Sequence, residues 1–368
     1  MKKYVFYVVI LLFITSCNSS DVDNDSVQSN PNNNGSIPSS DNPSGENYTT
    51  WLIPVAEVRD GGPGKDGIPS IDNPQFIIAN GADFLNSHDL VVGIVDGMEA
   101  RAYPHKILNW HEIVNDDING NAVTINYCPL TGTAFGWKSE SNGVKTTFGV
   151  SGLLYNSNLI LYDRNTDSNW SQIRLECVNG KLISEKPKLI NIVETTWDIW
   201  ETLYPNSKVL SEQTGFSRQY GVNPYGDYAF NNDRFLFRPS YLNNDLPNKE
   251  RVYGIIDDNK SKAYQFSKFS SGKVIKDSFN NKDYLVVGNQ DIIYAFELTG
   301  DYVNLNFEYD FNSSVGVFFK DDEGNKWNIF GQAIDGPRKG ETLKGAKSVV
   351  SYWFALAVFY TDPLIYQE

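Results

Sequence analysis

Residues 91–137 align without a gap on residues 252–298 at a constant offset of 161, with identities at Val91, Gly93, Ile94, Asp96, Ala102, Tyr103, Asp116, Asn119, Ala134 and Phe135. The order continues beyond that stretch. DRNTDSNW from Asp163 to Trp170 answers DDEGNKW up to Trp327, and residues 197–210 answer residues 353–366. A chain that repeats itself in this way is constrained to two related units. Two copies are too few for a solenoid, whose units bury their apolar faces by stacking in longer series. The expected arrangement is a pair packed about a pseudo-twofold axis.

Within one copy the pattern is mostly β. Residues 91–95 and 100–103 flank Asp96-Gly97, residues 112–114 and 123–127 flank Asn119-Gly120, and residues 134–138 and 145–150 flank Asn142-Gly143. Asn-Gly and Asp-Gly pairs accept the positive φ of a tight turn, so each reads as a hairpin. A further pair of strands is expected around residues 159–163 and 170–178. Residues 194–204 read as a helix, with Trp197, Trp200, Leu203 and Tyr204 at helical spacing and Pro205 as the stop; residues 351–360 are the counterpart. The fold class expected is α+β, predominantly antiparallel β: two tandem strand-meander units, residues 51–215 and 216–368, each closed by a helix.

The chain opens with Lys2 and Lys3, an apolar run over residues 4–14, and Thr15-Ser16-Cys17. This is the layout of a lipoprotein signal, so residues 1–16 are expected to be removed and Cys17 acylated. So short a run cannot span a bilayer. Residues 17–50, almost wholly Asn, Ser, Asp, Pro and Gly, read as a disordered tether. The expected location is the cell envelope, outside the cytoplasm and on the outer membrane, with the membrane as partner through the lipid on Cys17. A net charge of -14 without a basic cluster excludes nucleic acid as a partner. Cys128 and Cys177 remain, either as one disulfide or as two separate thiols.

Chemistry is expected in the first unit. His88, His105 and His111 fall in one short span, and the Asn119-Gly120 hairpin would bring His111 near Cys128. An imidazole and a thiolate suit copper or zinc, and the same pair could act as a thiol nucleophile with a base. Both residues could equally be buried core members. In the second unit His111 is replaced by Gly272 and Cys128 by Asn289, while the glycine and apolar landmarks persist. A second polar and aromatic set, Arg101, Tyr155, Asn156, Asp163, Arg164, Trp170 and Gln172, is expected to bind an unidentified small ligand. The string around Ser151 lacks the Gly-x-Ser-x-Gly spacing of a nucleophile elbow. The Gly- and Pro-rich residues 60–74 suit an ordered loop crossing the first unit, or a binding loop.

The strings KDGIPSIDNPQF (65–76), EARAYPHKILNWHEIVND (99–116), NYCPLTGT (126–133) and FGVSGLLYNSNLILYDRNTDSNWSQ (148–172) resemble the prokaryotic family catalogued as domain of unknown function 3179. The resemblance implies a secreted or envelope protein and brings no assigned activity. Many members resemble one another in a second cysteine of the YCPL motif, where this chain has Thr131; that departure speaks against a dithiol. The leading expectation is a ligand- or metal-binding, thiol-dependent site in the first unit, with catalysis left open. A glycan- or small-molecule-binding surface lipoprotein and a structural envelope component are the alternatives.

Overall fold

The computed structural model describes residues 48–312 and 316–368, so the leader, Cys17 and the tether through residue 47 lie outside the described residues. The hairpins expected at Asp96-Gly97 and Asn119-Gly120 form. Asn119 at 52° and Gly120 at 84° close the pairing of Ile113–Ile118 with Asn121–Cys128. The Asn142-Gly143 turn differs from expectation. It joins only the two-residue strands Glu140–Ser141 and Val144–Lys145, while Thr133–Lys138 and Phe148–Tyr155 enter different sheets.

Six larger sheets result, and the architecture is β-rich and mostly antiparallel. In the first half one sheet runs Val193–Thr196, Leu90–Asp96, Glu99–Pro104, Lys208–Leu210, Phe76–Ile78. The next runs Leu189–Ile190, Thr133–Lys138, Asn121–Cys128, Ile113–Ile118. The third runs Val58–Asp60, Phe148–Tyr155, Asn158–Asp163, Asn169–Ser171, Glu176–Asn179. In the second half the orders are Ser348–Tyr352, Arg251–Asp257, Lys260–Gln265, Leu364–Ile365; then Lys273–Phe279, Lys282–Asn289, Ile292–Leu298, Lys344–Gly345; then Phe307–Asn312, Val317–Asp321, Lys326–Trp327, Ala333–Asp335.

Three short α-helices accompany the described strands: α1 (His105–His111), α2 (Trp197–Leu203) and α3 (Trp353–Phe359). The helix expected from residue 194 begins later, because Val193–Thr196, rich in β-branched side chains, pairs with Leu90–Asp96. Sequence reading misses α1, whose single buried face (Ile107, Leu108, His111) is too short to show a period. α2 and α3 each pack between a sheet of their own half and the core of the other half. Trp353, Phe354 and Leu356 of α3 pack with Cys128, Phe135, Trp137 and Trp170 of the first half. Trp197 and Trp200 of α2 pack with Leu285, Phe296, Phe319 and Trp327 of the second.

Two glycines let these helices lie against their own sheets. A Cβ on Gly93 would stand 2.0 Å from the Trp200 ring, and one on Gly254 would stand 2.7 Å from the Leu356 side chain. Trp200 is fully buried and cannot swing away, whereas a leucine terminus gives more readily. Gly93→Ala should therefore cost about 3 kcal/mol, the upper end of overpacking, and Gly254→Ala about 1 kcal/mol. Urea denaturation midpoints at unchanged m-value check this, and equal costs would contradict it.

Candidate functional site

His111 ends α1 and is fully buried. Its Nδ1 lies 2.8 Å from the Pro69 carbonyl, which can only accept, so Nδ1 carries the proton. Its Nε2 lies 2.7 Å from the Tyr220 hydroxyl, which donates to it. Burial lowers the imidazole pKa to about 4, against a smaller opposing contribution from the Pro69 hydrogen bond. The ring is a satisfied, neutral pin that ties α1 to the Gly- and Pro-rich loop and to Tyr220. It makes no hydrogen bond with Cys128.

Cys128 ends strand Asn121–Cys128, and its thiol donates to the Ser157 carbonyl at 3.6 Å. Instead of the lowered pKa that a neighbouring imidazolium would give, burial pushes the thiol up to about 11, and the Glu112 charge adds to the rise. Cys177, pushed by burial up to about 12, is likewise free and buried. Among the described residues no three His, Cys, Asp or Glu side chains converge as metal ligands. Both ring nitrogens of His111, expected with Cys128 to hold copper or zinc, are engaged by Pro69 and Tyr220.

The ligand-binding set does not share one cleft. Arg101 grips the Asp116 carboxylate at 2.6 and 2.5 Å, holds Glu99 and stacks on Phe76. Asp163 is fully buried, accepting from Trp170 Nε1 at 3.1 Å and from Thr166. Trp170 packs edge-on against Phe148. Gln172 is fully buried; it donates to Asn126 and accepts from Thr133 and Asn158. Asn156 sits in a tight turn and accepts from the Ser240 N–H at 2.8 Å, and half-buried Tyr155 meets Phe359 edge-on. Arg164 bridges Asp72 and Ser70, fastening the loop above. Six of the eight tryptophans are buried, which removes most of the ring surface a glycan would need.

What stands beside Cys128 is Glu112. Across the hairpin, Ile113 faces Asn126 and the Glu112 carbonyl accepts from the Tyr127 N–H at 2.7 Å. As α1 stops, Glu112 takes φ 56° and ψ −31°, a region costly for a residue with a Cβ. This kink parts the His111 side chain from that of Glu112 and delivers the carboxyl to the Cys128 side. Glu112 is 6% exposed, and its Oε1 accepts from the Tyr225 hydroxyl at 3.3 Å. Burial raises its pKa to about 8, with the Tyr225 bond opposing, so at neutral pH it is largely a protonated acid.

Glu112 and Tyr225 form the polar end of a cavity of about 30 Å³ whose other walls are Gly61, Pro63, Ile68, Leu130, Val150, Gly152, Leu153, Leu154, Leu159, Leu236 and Phe237. That is room for about two water molecules. One wall is the Gly- and Pro-rich loop, held by Gly61 N–H to Gly152 O at 2.8 Å and Asp66 N–H to Val150 O at 2.9 Å. Gly152 allows this, since a Cβ there would lie 2.5 Å from the Gly64 backbone. A wider open groove, about 660 Å³, lies at the other end of the same sheet near Asp96, Asn121 and Lys145, away from Cys128.

Residues 65–363 match the model of a family described as protein of unknown function, DUF3179. The chain belongs to this family. No curated protein and no solved structure matches it. The matched span contains Glu112, Cys128, Tyr225 and every other cavity wall except Gly61 and Pro63. In this member of the family the Thr131 hydroxyl pairs with Thr133 at 2.8 Å and accepts from Asn158 at 3.0 Å, fixing the turn that follows Cys128. Glu112 lay inside a string already singled out by sequence, but nothing in the string signals a positive φ. Tyr225 comes from the irregular segment ahead of strand Arg251–Asp257, and no local pattern places it.

Proposed function

We propose that this is a lipid-anchored protein of the cell envelope whose first unit holds a small, mostly apolar ligand in the Glu112 cavity, with the Cys128 thiol beside it. The observation that carries the reading is Glu112 itself: a buried, protonated carboxyl on strained backbone, the only acid lining an otherwise apolar cavity. Strained backbone and shifted pKa values cluster at functional sites. With Oε1 engaged by Tyr225, the other carboxyl oxygen of the acid is a donor for an alcohol, ether or carbonyl oxygen.

The halves read as copies of one unit, residues 51–215 and 216–368, related by a pseudo-twofold axis. The shared strand orders support this, as does the repeated bond from Trp327 Nε1 to Asp321 at 2.9 Å, matching Trp170 to Asp163. On this reading the second copy is scaffold: Asn289, in the place of Cys128, binds the Tyr309 hydroxyl at 3.1 Å.

Saturation-transfer NMR with methanol and ethanol tests the ligand site. Transfer should be seen with the wild type and lost in Val150→Phe, which fills the cavity. Equal transfer to both folded proteins would contradict it. For the anchor, Cys17→Ala should move the protein from the membrane fraction to the soluble one. Retention on membranes after a high-salt wash would refute acylation as the anchor.

A further inference from the structure

Lys249 lies just ahead of strand Arg251–Asp257, and only 7% of it is exposed. Its backbone N–H donates to Asn232 at 2.8 Å, but among the described residues its Nζ has no hydrogen-bond partner. Four rings surround that nitrogen: Tyr228 at 3.3 Å, Phe354 at 4.6 Å, Phe235 at 4.8 Å and Tyr352 at 5.3 Å. Ring faces attract a cation by roughly 1–2 kcal/mol each at best, which does not replace the lost water. Burial therefore lowers the ammonium pKa to about 7, with the Arg234 charge assisting. The Tyr228 hydroxyl is committed to the Leu130 carbonyl at 3.0 Å and offers nothing to the amine. Lys249 does not line the Glu112 cavity, and no part of the preceding reading uses it.

A primary amine buried among four ring faces and free of acceptors is a nucleophile of the kind that attacks carbonyl carbon. We propose that Lys249 is a covalent capture site for small apolar or aromatic aldehydes and ketones. The Nζ lone pair forms a C–N bond to the carbonyl carbon while the carbonyl oxygen takes up the proton that the nitrogen gives up, producing a carbinolamine. The C–O bond then breaks and the oxygen leaves as water with the second nitrogen proton, so amine plus carbonyl gives imine plus water with no change in oxidation state. The four ring faces slow the return of water and stabilise the protonated imine as they do the ammonium.

The test treats the full chain with butanal and sodium cyanoborohydride and reads alkylation at each lysine by peptide mass spectrometry between pH 6 and 10. At pH 7 Lys249 should be labelled at least about tenfold faster than the median surface lysine, because a far larger fraction of it is free amine. That advantage should shrink toward pH 10, and Lys249→Met should lose this adduct alone. Phe235→Ala opens the chamber and keeps the amine. Fast labelling of Lys249 in either the wild type or Phe235→Ala supports capture, and labelling no faster than the surface lysines in both overturns it.

Discussion

Glu194→Gln should lower the free energy of unfolding by about 3–5 kcal/mol, the cost of breaking a buried ion pair from one side. Glu194, on strand Val193–Thr196, is 5% exposed, accepts from Arg251 at 2.7 Å and lies 3.3 Å from His105 Nε2. Burial alone would raise its pKa, but the His105 and Arg251 charges hold it below the usual carboxylate range. Arg251 belongs to the second half and His105 to the first, so the carboxylate is a clasp between them. Glutamine keeps the shape and removes the charge, leaving Arg251 uncompensated. The double variant Glu194→Gln/Arg251→Met should recover much of the loss, since both charges then leave together. A single-variant cost under about 1 kcal/mol in urea denaturation would show that the clasp is too hydrated to matter.

Glu112→Gln should leave stability near the wild-type value at pH 4.5 and raise it at pH 8 by an amount on the order of 5 kcal/mol. The folded protein keeps the Glu112 proton up to about pH 8, whereas the unfolded chain releases it near 4.5. Within that window each pH unit removes about 1.4 kcal/mol of stability. The contribution is fully present below 4.5, lost as pH rises to about 8, and flat beyond. His111 acts with the opposite sign: its pKa falls from 6.5 to about 4, so stability is gained as pH rises across that range. Because His111 is common to both proteins, the difference between their pH curves isolates Glu112. Parallel curves would mean that the carboxyl is ionised in the fold at neutral pH.

The contrast between what the residues signal and what they do follows from the range of each interaction. Asn119-Gly120 is legible because a tight turn is decided by the two residues in it. The glycine pair Gly93 and Gly254 is legible as a repeated landmark, although its reason, a helix side chain lying on each, needs the folded chain. Cys128 is legible as chemically unusual. His111 looks reactive, yet Pro69 and Tyr220, one of them far along the chain, turn it into a neutral pin. Glu112 is hidden by a backbone angle that an L-residue rarely adopts, and Lys249 by rings that come from distant elements. The second contact of α2 and α3, with the core of the other half, leaves no local trace, because a buried helix carries the same apolar pattern whatever it covers.

The central claim is that Glu112 is a protonated acid held in a ligand cavity, and ¹³C NMR of glutamate-labelled protein reads it directly. The Glu112 side-chain carboxyl carbon, assigned by its loss in Glu112→Gln, should titrate with a midpoint near 8 and shift on addition of methanol at pH 7. A midpoint near 4.5 together with no response to methanol would contradict a protonated acid in a ligand cavity.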